Sequence, residues 1–144
     1  MKLASAFLRK KKIFIQGSSQ TTAGVWIASS SVHLFNEEAN TKEIGDAIID
    51  VVNSSIQGIP HPKQAEWKNI QAPILNVAGV KTWSTFAKGT KAVGIIYEDG
   101  TVTMAPSFEY ESHGGTSQKE TNIKCSFSNE ELGETLLKAF NICK

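Results

Sequence analysis

Residues able to do acid–base or nucleophilic chemistry are few in this sequence and lie far apart. The three histidines are His33 in an apolar run, His61 between two prolines and His113 before two glycines. No serine or cysteine near them stands in a recognisable nucleophile context, so a Ser/His or Cys/His arrangement is unsupported. Three scattered histidines also lack the spacing of a metal site. We therefore expect no enzyme activity, no metal and no cofactor.

The two cysteines, Cys125 and Cys143, are too few for a disulfide framework and lack zinc-type spacing. In an oxidising compartment they could pair with each other, but we expect two buried free thiols, which favour the cytoplasm. The apolar stretch in residues 1–8 is too short for a signal peptide, and bases follow it directly. No stretch approaches the length of a membrane span. The sequence therefore predicts a cytoplasmic protein without a membrane partner.

Acidic residues cluster at residues 37–38, 98–99 and 109–111, in predicted loops or at strand edges. A hydrolase with two carboxylates requires a defined separation between them, which a sequence does not show. Around the second predicted hairpin the acids are joined by an aromatic and by flexible residues, which suits contact with a basic protein surface. Solvated turns would have the same composition. The predicted partner-binding residues are Glu98, Asp99, Glu109, Tyr110, Glu111 and His113.

The overall charge gives little indication of a partner. The 144 residues include 15 basic and 14 acidic side chains, a formal net charge of +1, with 40% hydrophobic and 20% charged residues. This composition is typical of a folded protein and favours neither nucleic acid nor a membrane surface. Four consecutive bases at residues 9–12 fit a phosphate-binding patch or the charged start of an edge strand. The balanced composition favours the edge strand.

An eleven-residue pattern occurs twice, at residues 43–53 and 131–141. Each copy begins with Glu, has Gly third and an acid fourth, and ends in Asn. Its apolar residues follow the spacing of an amphipathic helix. Asn40 and Ser128 each stand three residues before a Glu, as in a capping box. We therefore predict helices over residues 40–53 and 128–141 and an internal duplication.

Four positions in this repeated pattern predict how the helices pack. Gly45 and Gly133 are each unfavourable inside a helix by roughly 1 kcal/mol relative to Ala. Their recurrence indicates a close backbone approach, which we expect to be helix against sheet. Ile48 and Leu136 lie at the centre of the apolar stripes and are predicted to be buried.

Short runs rich in β-branched and aromatic residues precede each predicted helix. These runs are residues 12–16, 24–28 and 32–35, then 92–97, 101–104 and 123–127. Asp99 and Gly100 predict a tight hairpin turn. Strands gathered before each helix predict an α+β fold with antiparallel sheets and two helices, a duplicated strands-then-helix unit. That plan resembles the Whirly-type binders of single-stranded nucleic acid.

The duplicated plan predicts a single domain over residues 1–144. Its first unit covers about 1–57, a crossover linker about 58–80 and the second unit about 81–144. Pro60, Pro62 and Pro73 favour extended backbone, so we expect no third helix in the linker.

Three shorter segments and two tryptophans complete the prediction. Residues 17–24 and 113–120 are small and polar and are predicted to be loops between strands. Residues 83–86 are predicted to open the second unit as a strand. Trp26 and Trp83 have apolar neighbours and are predicted to be core anchors.

Four segments occur in an order and spacing similar to those of a known family. They are residues 21–27 (TTAGVWI), 58–62 (GIPHP), 79–86 (GVKTWSTF) and 131–133 (ELG). From about residue 11 to residue 143, the chain resembles the immunity proteins of bacterial contact-dependent growth inhibition. The resemblance implies a cytoplasmic protein that binds and blocks the C-terminal toxin domain of a delivered effector, as a 1:1 complex. Such toxins are commonly nucleases and often attack transfer RNA.

This resemblance also implies what the predicted partner-binding residues contact. No catalytic residue is carried over from the family, as expected for a stoichiometric inhibitor. The acidic and aromatic residues around the second hairpin become the predicted toxin-binding site. If the shared segments are scaffold, toxin specificity lies on loops and exposed strand faces.

Two other classes of protein fit parts of the sequence. A module for single-stranded nucleic acid would use the bases at residues 9–12 with Phe14 and Trp26 for charge and stacking. Against this class, the chain has only one Arg and its lysines are dispersed. A small enzyme would assemble its site from His113 and nearby acids. A nuclease assay and a gel shift separate both classes from an inhibitor.

Overall fold

One open, mainly antiparallel sheet forms the centre of the molecule. A computed structural model describes residues 1–111 and 115–144. The strands are β1 (Lys2–Arg9), β2 (Lys12–Thr21), β3 (Trp26–Asn36), β4 (Gln57–Ile59), β5 (Lys91–Glu98), β6 (Thr101–Phe108), β7 (Thr116–Ser117) and β8 (Ile123–Ser126). Their order is β3-β2-β1-β5-β6, where β8 and β7 pair with different parts of β6 and β4 pairs in parallel with β2. The predicted α+β class with antiparallel sheet is confirmed.

The two halves of the chain contain the same order of elements. The helices are α1 (Thr41–Asn53), α2 (Ala72–Ala78), α3 (Trp83–Ala87) and α4 (Asn129–Ile142), with 3-10 helices at Gln64–Asn69 and Lys119–Thr121. The strands β1, β2 and β3 precede α1, whereas β5, β6 and β8 precede α4. The two units join at the middle of the sheet, where β1 and β5 pair antiparallel with Leu3 opposite Ile96.

The helices α1 and α4 begin at the predicted caps. The Asn40 side chain accepts a hydrogen bond from the Lys42 amide at 2.8 Å, and the Ser128 hydroxyl accepts one from the Glu131 amide at 3.4 Å. Hydrogen bonds from Ser126, and a further one from Ser128, lower the pKa of the Glu131 carboxyl. Both predicted helices are therefore confirmed, and each cap satisfies one N–H group of the first turn.

The larger core lies between one face of the sheet and these two helices. Alternate residues of the strands point to that face, and Ile48 and Leu136 from the helices are 0% exposed, as predicted. The main members of this core are Ala4, Ala6, Ile13, Ile15, Ile44, Ile48, Val52, Val93, Ile95, Val102, Met104, Leu132, Leu136 and Phe140. A smaller cluster lies on the opposite face, where Phe7 and Phe14 pack against Ile74 of α2 and Phe86 of α3.

Gly45 and Gly133 contact the opposite helix, which corrects the prediction that they pack against the sheet. A Cβ added at Gly45 would lie 1.8 Å from the Asn129 carbonyl oxygen, and one at Gly133 would lie 1.9 Å from the Thr41 carbonyl oxygen. The contact is reciprocal, because each glycine meets the first turn of the other helix. Side chains at the same crossing also pair, as in the Lys42 Nζ to Glu130 Oε1 contact of 3.1 Å. The glycine that recurs in the two helices therefore permits one close, reciprocal helix crossing.

Two predictions for the middle of the chain are wrong. The linker contains α2, with Pro73 in its first turn, where the missing N–H has no intrahelical partner to lose. Residues 83–86 belong to α3 and not to a strand; Thr82 caps this helix by accepting from the Thr85 amide at 3.2 Å. Both helices cover part of the sheet face opposite α1 and α4.

Two predictions for the N-terminal half are also wrong. The bases at residues 9–12 do not begin an edge strand, because they cover the end of β1, the turn and the start of β2, and both strands are inner strands of the sheet. Much of the predicted loop at residues 17–24 belongs to β2. A Cβ on Gly17 would lie 2.9 Å from the Val51 carbonyl oxygen, and the β2–β3 register shifts at this residue. The glycine therefore indicates a helix crossing a strand and not a loop.

Other predictions for turns and loops have mixed outcomes. The Asp99-Gly100 hairpin is confirmed, with φ of 51° and 80°. The predicted loop at residues 113–120 lies partly outside the described residues, and its described part contains β7. None of the helices in the described residues is long and apolar enough to cross a membrane.

Candidate partner-binding surface

The predicted partner-binding residues lie in two separate places. Glu98 ends β5 and Asp99 begins the turn to β6, and both are exposed. Glu109, Tyr110 and Glu111 follow the other end of β6. An eight-residue strand is roughly 25 Å long, so the structure does not bring the two groups together. His113 lies outside the described residues.

The group after β6 lines an open cleft of about 480 Å³. Its other walls are Gly89, Thr90, Lys91 and Lys144. The Glu111 carboxylate accepts a hydrogen bond from the Gly89 amide at 2.7 Å, and the Glu109 amide donates to the Lys144 carbonyl at 2.5 Å. These bonds hold the segment against the loop after α3 and against Lys144. The cleft thus presents carboxylates and lysines side by side.

Tyr110 connects this cleft to the aromatic cluster on the sheet. Its ring lies 5.8 Å from the Phe7 ring and 6.5 Å from the Trp83 ring, measured between centroids. Burial raises the pKa of the Tyr110 phenol to about 12, because a phenolate would lose its hydration there. The side chain is thus held in place by packing while its segment remains at the surface.

An aromatic groove of about 390 Å³ crosses the same face of the sheet. Its base contains small or polar residues of the inner strands, Ser5, Gln16 and Ser18, and its sides are formed by Trp26, Trp67, Trp83 and Tyr110. A second cavity of about 280 Å³ continues from Tyr110 across Gly94 and Ala105. Small or polar side chains of the sheet therefore line part of both openings.

Trp67 is held over this groove by His61. The two rings meet edge to face at 5.2 Å, and His61 Nδ1 lies 2.9 Å from the Thr21 hydroxyl oxygen. Thr21 and His61 belong to two of the segments that resemble the immunity family, so those segments contact one another. Trp67 itself remains 38% exposed. The histidine therefore positions an aromatic side chain at the surface.

The remaining titratable side chains form no recognisable catalytic arrangement in the described residues. His33 Nε2 lies 2.8 Å from Asp50 Oδ2 and ties β3 to α1. Cys125 and Cys143 are free, with Cys143 buried and Cys125 only partly so. Burial raises the pKa of both thiols, which lowers the fraction of reactive thiolate. Within residues 1–111 and 115–144, no three His, Cys, Asp or Glu residues are grouped as metal ligands.

The sequence pattern does not predict the aromatic groove. Trp26 and Trp83, predicted as core anchors, are only partly buried and line it, and Trp67 comes from the linker. The available signal was the alternation in β1 and β2, where Ser5, Gln16 and Ser18 occupy the face opposite the main core. A strand with an apolar face and a small, polar face indicates a sheet surface that is partly open.

Comparison with known families identifies the class. Residues 2–143 match the family model of CdiI, the CDI immunity protein. The chain therefore belongs to the immunity proteins of contact-dependent growth inhibition, as the resemblance predicts, and confers immunity to a toxin of this system. Proteins of this family are generally inhibitors rather than enzymes.

Two solved structures share the fold at low sequence identity. A protein of unknown function from Neisseria meningitidis is 16% identical, with a TM-score of 0.81 over 99% of this chain and 95% of that chain. A chain of the CdiA-CT/CdiI toxin and immunity complex from Yersinia pseudotuberculosis is also 16% identical, with a TM-score of 0.80 over 99% of this chain and 97% of that chain. No curated protein sequence matches this chain.

Proposed function

We propose that this chain binds the toxin domain at the C-terminus of its cognate effector and blocks it without modifying it. The proposed complex is 1:1 and forms in the cytoplasm. The proposed toxin is a nuclease, with transfer RNA as its substrate. Membership of the CDI immunity family supports the inhibitor class. The similar Yersinia structure is a toxin and immunity complex, which supports a toxin domain as the partner.

The position of Tyr110 is the observation that supports a particular interface. Tyr110 lines the cleft beside Glu109 and Glu111, the aromatic groove and the second cavity across Gly94. We use the name Tyr110 surface for the set Glu109, Tyr110, Glu111, Trp26, Trp67 and Trp83. Tyrosine and tryptophan are enriched among the residues that dominate binding energy, particularly where pockets accept partner side chains. The groove and cleft provide such pockets on both sides of one anchored aromatic residue.

Charge supports this interface only in part. A nuclease binds phosphates and therefore presents a basic surface, which Glu109 and Glu111 would complement. Lys91 and Lys144 line the same cleft, however, and the chain as a whole has a net charge of +1. We therefore expect the acids to influence mainly the association rate and the aromatic contacts to determine most of the affinity.

Charge reversal at the two ends of β6 tests the acidic part of the proposal. Glu109→Lys with Glu111→Lys, and the matched pair Glu98→Lys with Asp99→Lys, change the net charge equally. We expect the first pair to slow association with the purified toxin domain and to weaken protection of toxin-expressing cells. The second pair is expected to behave like the wild type, since it lies roughly 25 Å away.

Other outcomes of the two charge reversals would place the interface differently. A loss confined to the Glu98 and Asp99 pair would move the interface to the turn. Equal losses would indicate long-range charge and not local contact. Circular dichroism of each variant checks that the fold is retained, since reversal at Glu111 also removes the acceptor for the Gly89 amide.

The nucleic-acid alternative receives little support from the groove. Aromatic walls suit stacking of bases, but single-strand binders also need basic residues along the backbone path. None of the described residues that line the groove is Lys or Arg. A gel shift of single-stranded RNA and DNA at moderate salt is expected to show no complex.

A further inference from the structure

Arg9 is a buried cation without a protein partner among the described residues. It is the last residue of β1 and is only 8% exposed. Its Nε is buried and donates no hydrogen bond to any described residue. The ion-pair contacts of the described residues are His33 with Asp50 and Lys42 with Glu130, neither of which includes Arg9. The Nε–H group therefore lacks the hydrogen bond that a buried donor normally makes.

The contact with Phe86 stabilises the buried Arg9 side chain only weakly. The guanidinium carbon lies 6.0 Å from the centre of the Phe86 ring, at the outer limit of a cation–π interaction. The end of α2 also faces this region with its partial negative charge. The Leu75 and Asn76 carbonyls there already accept hydrogen bonds from the Gly79 amide, and Leu75 also accepts from Val80. The Arg9 Nε–H group therefore has no acceptor in the described part of the chain.

Arg9 lines a cavity of about 240 Å³ between the β1–β2 turn and the end of α2. Lys10, Lys12 and Phe14 line one side, and residues 77–80 form the other. Arg9 and Lys12 are opposite each other in the strand register, on either side of the turn. The volume is several times the roughly 30 Å³ that one water molecule occupies in the liquid. There is thus room for a small polyatomic ion beside three cations.

Glu37 and Glu38 form no ion pair with Arg9. The Glu37 amide donates to the Lys11 carbonyl at 2.9 Å, which brings residues 37–38 to the same end of the sheet. Glu37 and Glu38 are exposed, and their carboxylates form no ion pair with a described base. The turn itself is held by its backbone, with Lys10 and Lys11 at φ of 48° and 64°. The cationic side chains therefore remain available to a ligand.

We propose that this cavity is a binding site for an oxyanion, either a phosphate group or a carboxylate. The Arg9 guanidinium is its central donor, and Lys10 and Lys12 add charge at the mouth. Guanidinium groups bind both kinds of oxyanion through paired N–H donors. The site is independent of the toxin-binding proposal, because none of its residues belongs to the Tyr110 surface.

Titration of the wild-type protein with sodium phosphate, and separately with sodium acetate, tests this site. The side-chain Nε–H signal of Arg9 is followed by nuclear magnetic resonance at constant ionic strength maintained with sodium chloride. A saturable shift of this signal with phosphate is expected. A shift with acetate as well would show that carboxylates also bind. If neither anion moves the signal beyond the chloride control, the proposal is wrong.

Two variants locate the effect on Arg9. Arg9→Met keeps a long apolar side chain beside Phe86 but removes the charge and the donors, so phosphate affinity should fall on the order of tenfold or more. Lys68→Met, an exposed residue on the 3-10 helix outside the cavity, should retain wild-type affinity. Affinity is read from the phosphate-dependent rise in melting temperature at matched ionic strength. An unchanged phosphate effect in a folded Arg9→Met variant would overturn the proposal. If that variant does not fold, the titration of the wild-type Arg9 signal decides.

Discussion

The crossing of α1 and α4 should be intolerant of a single methyl group. In an ordinary helix, Gly→Ala stabilises folding by roughly 1 kcal/mol, through helix propensity and a less flexible unfolded chain. At Gly45 the added Cβ would lie 1.8 Å from the Asn129 carbonyl oxygen, whereas ordinary contacts begin at 3.4 Å. The helices would have to separate by about 1.6 Å, the difference between these distances.

The clash should outweigh the gain in propensity. Overpacking a core typically costs about 1–3 kcal/mol, and here the obstacle is backbone with its own helical hydrogen bonds, which cannot rotate away. Separation would also loosen the packing of Ile44, Ile48, Leu132 and Leu136, all buried between the helices and the sheet. We expect Gly45→Ala and Gly133→Ala each to destabilise the protein by about 2 kcal/mol or more. That is a large fraction of the roughly 5–15 kcal/mol typical of a folded domain.

Urea unfolding monitored by circular dichroism measures these changes, provided that the slope with denaturant is unchanged. Glu134→Ala, at the exposed residue beside Gly133, is the matched control and should lie within about 0.5 kcal/mol of the wild type. The double variant Gly45→Ala/Gly133→Ala should lose less than the sum of the single losses, because one separation accommodates both methyl groups. A single variant as stable as the wild type, or more stable, would refute the reciprocal crossing.

The remaining predictions concern the core, pH and the proposed interface. Ile48→Ala and Leu136→Ala should each cost about 2–5 kcal/mol in urea unfolding; a loss below about 0.5 kcal/mol would show that the residue is outside the core. The free energy of unfolding should fall as the pH rises from 10 towards about 12, because Tyr110 loses its proton at a lower pH in the unfolded chain than in the folded one. Tyr110→Phe should remove this part of the pH dependence. If the pH profile of the variant equals that of the wild type, the prediction is wrong. Trp67→Ala should raise the Kd for the toxin domain by about tenfold or more at unchanged stability, whereas Ile56→Ala, an exposed apolar residue outside the groove, should not.

Local patterns are sufficient to predict α1, α4 and the β5–β6 turn. Helical periodicity with caps at Asn40 and Ser128 is a signal within about fourteen residues, and Asp99-Gly100 is a signal within two. The fold class follows from the order of these elements. What the glycines contact depends on residues far away in sequence, so the pattern indicates a close approach but not the partner helix.

Two elements that the sequence does not predict, β1 and α2, contradict local preferences for identifiable reasons. β1 has small core residues, Ala4 and Ala6, because it lies centrally beneath the helices. These alanines weaken its apolar signal, so the sequence alone does not predict a strand there. α2 contains Pro73, which breaks a helix interior but is compatible with a first turn. In each case tertiary position, and not propensity, decides the structure.

The sequence predicts only part of the candidate surface, and the reason is geometric. Residues 109–111 and 98–99 are close in sequence, yet β6 separates them because an extended strand adds roughly 3.3 Å per residue. Trp26, Trp67 and Trp83 are distant in sequence but line one groove. Assembly of such a surface requires the sheet order, which the sequence pattern does not predict.

A titration of toxin activity tests the central proposal most directly. The purified toxin domain of the cognate effector is assayed for cleavage of transfer RNA while wild-type chain is added in increasing amounts, with the toxin concentration well above the Kd. Inhibition without modification predicts that activity falls linearly and reaches zero at one equivalent, and that active toxin is recovered after denaturation and separation. Full activity in the presence of excess folded chain would contradict the proposal.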